Sequence, residues 1–395
     1  MPKDILAQQY LLPEMKLLEK RRGPRGGVDL VVEMTSELEV CPRCATPSRS
    51  VYDRRWATVR DEPVRGAEMR LLIHKRRFSC RPCGRPFTEP VNGVRKRSRT
   101  TERYGKAVLQ ACEDYVDLKT VRRRFRCSAG FLYSALYRHL ELKRRTRQYE
   151  WPERIGLDEH YFRRDKKLDV REFVTMVVDH TNGRLLEVAD GRRGIDVEHA
   201  VRDIAGRDNV RFVTLDLCDP YKRFAKEHFP NAQLVADKFH VLRLPQSALM
   251  RRRKLAEDGK NSPYLRLLLL KPRRLVPYKW RQPLFEWVCR HPSLKAVYEA
   301  KEALHGFYRT RSRKQAAQRL RGLCDTLAHS ELPELQTLRS TLLRWRKEIL
   351  AYWYCRLTNA RTEGFNNKAK LVKRRAYGYV SFEHYRLRLL NSCSG

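Results

Sequence analysis

Two Cys-x-x-Cys pairs near the start of the chain contain four candidate metal ligands: Cys41, Cys44, Cys80 and Cys83. Each pair can present two thiolates from a tight turn, and four thiolates form the tetrahedral ligand set of structural Zn²⁺. The 35 residues between the pairs exceed the usual finger spacing, so we expect a hairpin with Met69, Leu71 and Ile73 alternating along one strand. Four unlinked cysteines or two redox motifs are the alternative, but no βαβ pattern flanks either pair.

Three carboxylates are candidates for a second metal site: Asp158, Asp216 and Glu363. Asp158 lies in one apolar strand, Asp216 ends another, and Glu363 opens the last basic helix. Oxygen ligands without adjacent His or Cys suit Mg²⁺ or Mn²⁺, and two such ions can activate a water or a 3′-OH at a phosphodiester. Close carboxylates repel one another without cations, so the alternative is that each is paired with its own arginine.

Four polar neighbours compete with or support these carboxylates. Asp237 is a rival to Asp216 as a ligand. His240, one helical turn after Asp237, either hydrogen-bonds the site or the scissile phosphate, or is a buried structural histidine. Glu159 should point to the opposite face of the strand from Asp158, and Asp219 is expected to cap the helix that follows it.

A sheet is needed to bring Asp158 and Asp216 together. The predicted strands are 155–162, 172–179, 184–189, 210–215 and 233–236, and the predicted helices between them are 196–204 and 220–228. Asn182-Gly183 is a strong hairpin signal between the second and third strands. Three antiparallel strands followed by β-α-β units indicate a ribonuclease-H-like order, in which the first and fourth strands are neighbours.

The rest of the C-terminal half is predicted to be helical. A long helix should begin at Phe239, and the chain is helical and basic from about Pro245 to Tyr354. One amphipathic helix, 361–375, then carries Glu363 across the sheet. Its basic residues are candidates for phosphate contact, with a solvated face as the alternative: Lys368, Lys370, Lys373, Arg374 and Arg375. Tyr221 and Tyr377 could stack on bases, although core packing is favoured for both.

Between the cysteine pairs and this region, the pattern predicts three short helices. They begin near Tyr104, at 119 and after Ser128, which is a suitable N-cap for 129–140. Such a trio with a basic middle indicates a helix-turn-helix whose last helix would enter the major groove, with Arg138 as a candidate contact. A helical linker between two domains is the alternative. The basic run 143–147 is expected to form an exposed joint.

The charge of the chain points to a polyanionic partner. Lys and Arg number 84 against 46 Asp and Glu, and the net charge of +38 is spread along the whole length. DNA or RNA is favoured over a membrane because no lipid-binding amphipathic segment is evident. The longest apolar run, 265–270, contains Arg266 and cannot span a bilayer. We expect a cytosolic protein whose other seven cysteines are reduced.

Taken together, these motifs resemble the ISL3 family of bacterial insertion-sequence transposases, which have a DDE catalytic domain. The most specific segments are the two cysteine pairs, 156–159, 235–241 and 362–370. The resemblance implies that Asp158, Asp216 and Glu363 are the catalytic triad and that the helices between Asp237 and Glu363 form an insertion. It also implies an Asp-x-x-His element at Asp237 and His240, and a location in the bacterial cytoplasm in association with the nucleoid. Two positions depart from the family: Ala45 and Arg126 stand where glycine is usual.

The expected fold is multidomain α/β: an N-terminal zinc ribbon, a helix-turn-helix and a ribonuclease-H-like catalytic core interrupted by an all-helical insertion domain. The expected boundaries are 1–95, 96–150, 151–244, 245–354 and 355–395. The expected function is binding, cleavage and joining of the element's terminal inverted repeats to target double-stranded DNA, by a homodimer or larger assembly. A catalytically silent DNA-binding regulator and a nuclease without strand joining are the alternatives.

Overall fold

The computed structural model describes residues 11–114, 117–147, 149–165, 169–256 and 263–393. The chain divides into two compact units, Met1–Lys143 and Arg144–Gly395. No helix in the described ranges is both long enough and apolar enough to cross a membrane.

The first unit is built on strands that surround the cysteine pairs. They are β1 (Met15–Arg22), β2 (Val28–Met34), β3 (Glu39–Val40), β4 (Pro47–Ser48), β5 (Val51–Val64), β6 (Ala67–Cys80) and β7 (Arg85–Thr88). The main sheet has the order β1-β2-β6-β5, β7 pairs with β6, and β3 and β4 form a separate ribbon. The predicted hairpin is β5–β6, and its Met69, Leu71 and Ile73 are all buried. Arg65 and Gly66 join the strands with φ of +50° and +83°, as a twisted two-residue hairpin loop requires.

Three helices follow in sequence: α1 (Glu102–Asp114), α2 (Leu118–Phe125) and α3 (Ala129–Thr146). The predicted cap at Ser128 is confirmed, because its Oγ accepts the Phe131 N–H at 3.2 Å. Arg126 ends α2 in the left-handed region with φ of +47°, the conformation for which glycine is usual. The prediction of a joint at 143–147 was wrong in part, because residues 143–146 continue α3.

The second unit contains a five-stranded sheet: β8 (Arg154–Asp165), β9 (Val170–Asp179), β10 (Arg184–Ala189), β11 (Phe212–Leu215) and β12 (Gln233–Ala236). Its order is β10-β9-β8-β11-β12, with β8 to β10 antiparallel and β11 parallel to both β8 and β12. The expected adjacency of first and fourth strands is therefore confirmed. Gly183 takes the positive φ of +72° that the hairpin between β9 and β10 needs.

Most helices of this unit lie between β10 and the C-terminus. They are α4 (Gly194–Val201), α5 (Asp219–His228), α6 (Lys238–Arg243), α7 (Gln246–Ala256), α8 (Pro263–Leu270), α9 (Tyr278–Cys289), α10 (Pro292–Phe307), α11 (Arg313–Ala328), α12 (Pro333–Arg344), α13 (Arg346–Cys355), α14 (Ala360–Arg375) and α15 (Phe382–Cys393). The expected long helix from Phe239 is wrong. The segment forms two helices, α6 and α7. The first ends before Pro245, since proline disfavours helical geometry in the residue before it. Residues 257–262 of the predicted helical region lie outside the described residues, and α15 was not predicted.

Each face of the sheet has its own core. Ile155 and Leu157 of β8 pack with α4, α5 and the helices up to α13. Phe162 of β8 and Met176 of β9 pack instead with Phe365 and Ala369 of α14 and with α15. Because side chains alternate along a strand, Asp158 shares a face with Phe162 and lies on the side that α14 covers.

Gly156 allows α14 to approach that face closely. A Cβ at this position would lie 2.3 Å from His180 Nε2 and 2.9 Å from Thr362 Oγ1. Thr362 is fully buried in the first turn of α14. The glycine therefore helps to set the distance between β8 and the helix that carries Glu363.

Candidate metal centres

The four paired cysteines form one cluster in the first unit. Cys41 follows β3, Cys80 ends β6, and Cys44 and Cys83 lie in the two turns. The Sγ atoms of Cys41 and Cys83 are 3.9 Å apart, those of Cys44 and Cys80 are 3.4 Å apart, and all four lie within 4.8 Å of one another. Tetrahedral Zn²⁺ with bonds of about 2.3 Å places its sulfur ligands about 3.8 Å apart. The cluster therefore fits Zn²⁺ as predicted.

The two turns of this cluster have the same backbone geometry but different residues. Ala45 follows the first pair with φ of +57°, and Gly84 follows the second with φ of +62°. The Ala45 N–H donates to the Cys41 carbonyl at 2.9 Å, so the turn must adopt this conformation. A side chain in the left-handed region costs about 1 kcal/mol, which makes Ala45 a strained position.

Ala45→Gly should therefore stabilise the ribbon by about 0.5 kcal/mol, because relief of strain outweighs the greater freedom of glycine in the unfolded chain. The readout is the urea midpoint at which the zinc-loaded protein releases its metal to a chromogenic chelator. Ala57→Gly, within β5, is the matched control and should lower the midpoint, as glycine does inside strands. An equal decrease for both variants would contradict the assignment of strain to Ala45.

The second candidate centre lies on β8 and at the C-terminal ends of β11 and β12. Asp158 is in β8, Asp216 directly follows β11, and Asp237 directly follows β12. Ligand atoms of Asp216, Asp237 and His240 lie within 4.8 Å of one another. Asp158 is close enough to Asp216 for their charges to interact. The structure thus brings together the two candidate aspartates, the rival Asp237 and His240, but not Glu363.

Asp237 is held by protein donors on both carboxylate oxygens. Its Oδ1 accepts the Asn359 N–H at 2.9 Å, and its Oδ2 accepts the His240 N–H at 3.2 Å and hydrogen-bonds His240 Nδ1 at 3.0 Å. Burial alone would raise its pKa, but these hydrogen bonds outweigh that effect and lower it. Asp237 therefore caps α6 and orients His240, which weakens its case as a rival metal ligand.

Asp216 differs from Asp237 in that one of its oxygens forms no hydrogen bond. Its buried Oδ1 lies 2.9 Å from His240 Nδ1 in an ion pair, but no group in the described part of the chain meets hydrogen-bond geometry with it. Burial opposes the protonated form of His240, but the adjacent carboxylates outweigh it and raise the pKa of His240 to about 10. The histidine is thus positioned as a cation beside Asp216.

Asp158 lies in an environment that disfavours its negative charge. Burial and then repulsion from Asp216 raise the pKa of Asp158 to about 8. The Asn366 Nδ2 group donates to Asp158 Oδ2 at 2.8 Å, which fixes the orientation of the carboxyl group. A divalent cation between Asp158 and Asp216 would remove their repulsion, so the pair fits a hard metal ion.

Glu363 is exposed in the first turn of α14 and is not part of the cluster of Asp216, Asp237 and His240. However, it lies close in sequence to two residues that contact the site. The backbone N–H of Asn359, the N-cap of α14, binds Asp237, and the side chain of Asn366 binds Asp158. Residues three positions apart lie on one side of a helix, so Glu363 is on the same side of α14 as Asn366.

Sequence reasoning missed Asn359 and Asn366. Both lie in or beside the Thr362–Lys370 segment, but an asparagine side chain has no distinctive spacing signal. Besides bonding Asp237, Asn359 donates from Nδ2 to the Leu157 carbonyl at 3.3 Å and hydrogen-bonds Thr214. These contacts join α14 to β8, β11 and β12.

Asn366→Ala should weaken the binding of Mn²⁺ at this centre by about 10- to 100-fold, the effect expected for a residue that orients a metal ligand. The readout is the dissociation constant for Mn²⁺ from calorimetry on the zinc-loaded protein. Asn367→Ala removes the exposed neighbouring amide and should leave that constant within about twofold of the wild-type value. Equal constants for the two variants would show that Asn366 does not orient a metal ligand.

Other predicted residues have mixed outcomes. Glu159 is exposed on the other face of β8, as expected, with Arg192 at 3.8 Å. Asp219 does not cap α5, because Cys218 is the N-cap and Asp219 pairs with Arg344 at 3.3 Å.

The two candidate tyrosines differ in burial. Tyr221 is buried as favoured, with its hydroxyl 2.8 Å from Thr175 Oγ1. Tyr377 is 96% exposed, so core packing was wrong for it.

The candidate DNA-binding residues are mostly exposed. Arg138 is exposed on α3, and four of the five candidate basic residues of α14 are exposed as well: Lys368, Lys370, Arg374 and Arg375. Lys373 differs because it is half-buried and its ammonium group donates to the carbonyl oxygens of Tyr161 and Phe162. Its role in the structure is to join α14 to β8 rather than to face solvent.

Comparisons with known proteins match segments of both units. A family model described as transposase, of the DDE type and named for ISL3, matches residues 155–389. A second, described as the zinc-finger of transposase IS204/IS1001/IS1096/IS1165, matches residues 37–83. The chain is 24% identical over 389 residues to the transposase for insertion sequence element IS1001 of Bordetella parapertussis, covering 94% of this chain and 93% of that protein. It is 26% identical over 261 residues to the transposase for IS1557 of Mycobacterium tuberculosis, covering 58% and 57%.

Proposed function

Because this chain belongs to the ISL3 family of DDE transposases, we propose that it binds the terminal inverted repeats of an insertion sequence, cleaves them and joins them to target DNA. The observation that carries the chemistry is the buried pair Asp158 and Asp216, in which Asp216 Oδ1 forms no hydrogen bond within the described part of the chain. The site of action would be the bacterial nucleoid.

Asp158, Asp216 and Glu363 would hold the catalytic Mg²⁺ or Mn²⁺ ions. Three carboxylates provide the hard oxygen ligands that these ions prefer, and the first two already lie together at neighbouring strands. When bound, two such ions supply Lewis-acid activation of a water or 3′-OH and charge stabilisation at the phosphodiester. Glu363 would complete the set from α14, the helix that Asn359 and Asn366 hold against the sheet.

The other residues of the centre act on these ligands. Asn366 orients Asp158 through its amide donor, and Asp237 orients His240 from the start of α6. His240 places positive charge 2.9 Å from Asp216 Oδ1. This charge limits the repulsion between the buried carboxylates before cations bind.

DNA contact would come from several parts of the chain. The exposed basic residues of α14 lie along the helix that carries Glu363, so a bound backbone there would pass close to the aspartates. The zinc ribbon and α1–α3, which we propose to be a helix-turn-helix with Arg138 in the reading helix, would supply end recognition. Holding two ends together requires a dimer or larger assembly.

We propose the following division of the chain: a ribbon (1–95), a helix-turn-helix (96–150), a ribonuclease-H-like core (151–244 and 355–395) and a helical insertion (245–354). The strand order of the sheet supports the core assignment. The described helices α7 to α13 support an insertion between the strands and α14.

The decisive experiment incubates the protein and Mg²⁺ with labelled DNA that contains the element end and with a target plasmid. Cleavage at the end followed by joined product is the expected result. Cleavage without joined product would identify a nuclease, and specific binding without cleavage would identify a silent regulator.

A further inference from the structure

A cavity of about 430 Å³ in the helical part of the second unit is lined mostly by basic side chains. It lies between the short 3₁₀ turn Arg273–Leu275, helix α9 and the end of α10. We call it the arginine pocket and define it by its charged and histidine residues: Arg273, Arg274, Arg281, Glu302, His305 and Arg309.

The positive charge of this pocket is not neutralised within the protein. In the described ranges, none of its four guanidinium groups lies within ion-pair distance of a carboxylate. The single acidic residue, Glu302, is already engaged: it pairs with the buried Lys301 at 2.6 Å and accepts the Arg273 backbone N–H at 2.9 Å. Guanidinium groups that converge repel one another, so a bound anion would stabilise this arrangement.

Two of the arginines are fixed in position. Arg281 donates from Nε to the Val276 carbonyl and from Nη2 to the Arg274 carbonyl, both at 2.9 Å. The guanidinium of Arg273 lies over the Phe285 ring, 4.4 Å from its centre. A fixed guanidinium loses less entropy when it forms paired hydrogen bonds to phosphate oxygens. Arg274 and Arg309 are exposed and complete the charged rim.

We infer that the arginine pocket binds a phosphate of the DNA backbone, and thereby gives the helical insertion a direct DNA contact. This inference rests on the proposed function in one respect, which is that DNA is the natural partner. It does not depend on recognition of the element end, because a phosphate contact carries no information about base sequence. The pocket would position DNA rather than recognise the element end.

The test is the double variant Arg274→Gln/Arg309→Gln, which leaves the two fixed arginines in place. Affinity for end-containing and unrelated duplexes is measured by fluorescence anisotropy over a salt series. Each lost phosphate contact should reduce the log–log salt slope by about 0.9 and weaken binding at about 0.1 M salt by roughly eightfold. Both duplexes should be affected by the same factor.

The matched control is Arg321→Gln/Lys347→Gln, which removes two exposed charges outside the pocket. If the pocket variant and the control have the same slope, the inference is wrong. Should the double variant melt at a lower temperature, Arg309→Gln alone must still reduce the slope. Binding to unrelated DNA is measured as well, so the change in salt slope can be observed whether or not the protein performs transposition.

Inorganic pyrophosphate distinguishes a DNA phosphate from a free polyphosphate ligand. At constant ionic strength, pyrophosphate at micromolar concentration should not raise the melting temperature of the wild-type protein. Stabilisation of the wild type but not the pocket variant, with unchanged DNA slopes, would assign the pocket to a small ligand and overturn the inference.

Discussion

Asp216→Ala should abolish cleavage at the element end while binding of that end is retained. Asp216 supplies a buried oxygen that forms no hydrogen bond in the described ranges, and it directly follows β11, the strand that pairs with β8 of Asp158. Its loss removes both a metal ligand and charge from the centre, so we expect the cleavage rate to fall by at least about 10³-fold. The measurement combines single-turnover cleavage of labelled end DNA in Mg²⁺ with anisotropy for binding.

Asp219→Ala is the matched control, because it removes a carboxylate three residues away that is 57% exposed and pairs with Arg344. It should cleave within about twofold of the wild-type rate, since exposed ion pairs contribute little. A folded Asp216→Ala protein that still cleaves rapidly, or that no longer binds the end, would contradict the proposed role.

Glu363→Gln extends the same test to the exposed carboxylate of α14. If Glu363 completes the metal site, the cleavage rate of the Glu363→Gln protein should be as low as that of the Asp216→Ala protein. Glu159→Gln is the control, because Glu159 is exposed on the opposite face of β8. A wild-type rate for Glu363→Gln would show that the two aspartates hold the ions without it.

Cys80→Ser should remove the zinc and with it the specific recognition of the element end. The four sulfur atoms lie within 4.8 Å of one another, and hydrogen bonding with Thr46 lowers the pKa of the Cys44 thiol to about 6, which favours the metal-binding thiolate. Binding of structural zinc contributes about 10 kcal/mol or more to folding. Loss of the ribbon should therefore reduce end affinity toward that for unrelated DNA, typically a difference of at least about 10³-fold.

The measurements are zinc content by atomic emission and anisotropy with end-containing and unrelated duplexes. Cys289→Ser, an exposed cysteine in α9, should retain one zinc ion and full affinity. Unchanged end affinity in a zinc-free Cys80→Ser protein would show that the ribbon has another role. Binding to unrelated DNA should change little, because it depends on the basic surface as a whole.

Local patterns in the sequence determined the ribbon and most of the sheet. The Cys-x-x-Cys spacing specifies a metal cluster, and the alternation of Met69, Leu71 and Ile73 specifies a strand, because both depend on the geometry of adjacent residues. Asn182-Gly183 similarly specifies a hairpin through the positive φ that glycine accepts. The adjacency of Asp158 and Asp216 followed from the strand order.

Only the tertiary structure decided which side chains complete the centre. Asn366 binds Asp158 across 208 positions of sequence, and Asp219 pairs with Arg344 instead of capping a helix. Asp237 and Asp216 are the same residue type, but packing provides hydrogen bonds to both oxygens of Asp237 and leaves Oδ1 of Asp216 without one in the described ranges. Periodicity and turn chemistry act over a few residues, whereas hydrogen-bond partners and desolvation depend on elements that meet only when the chain is packed.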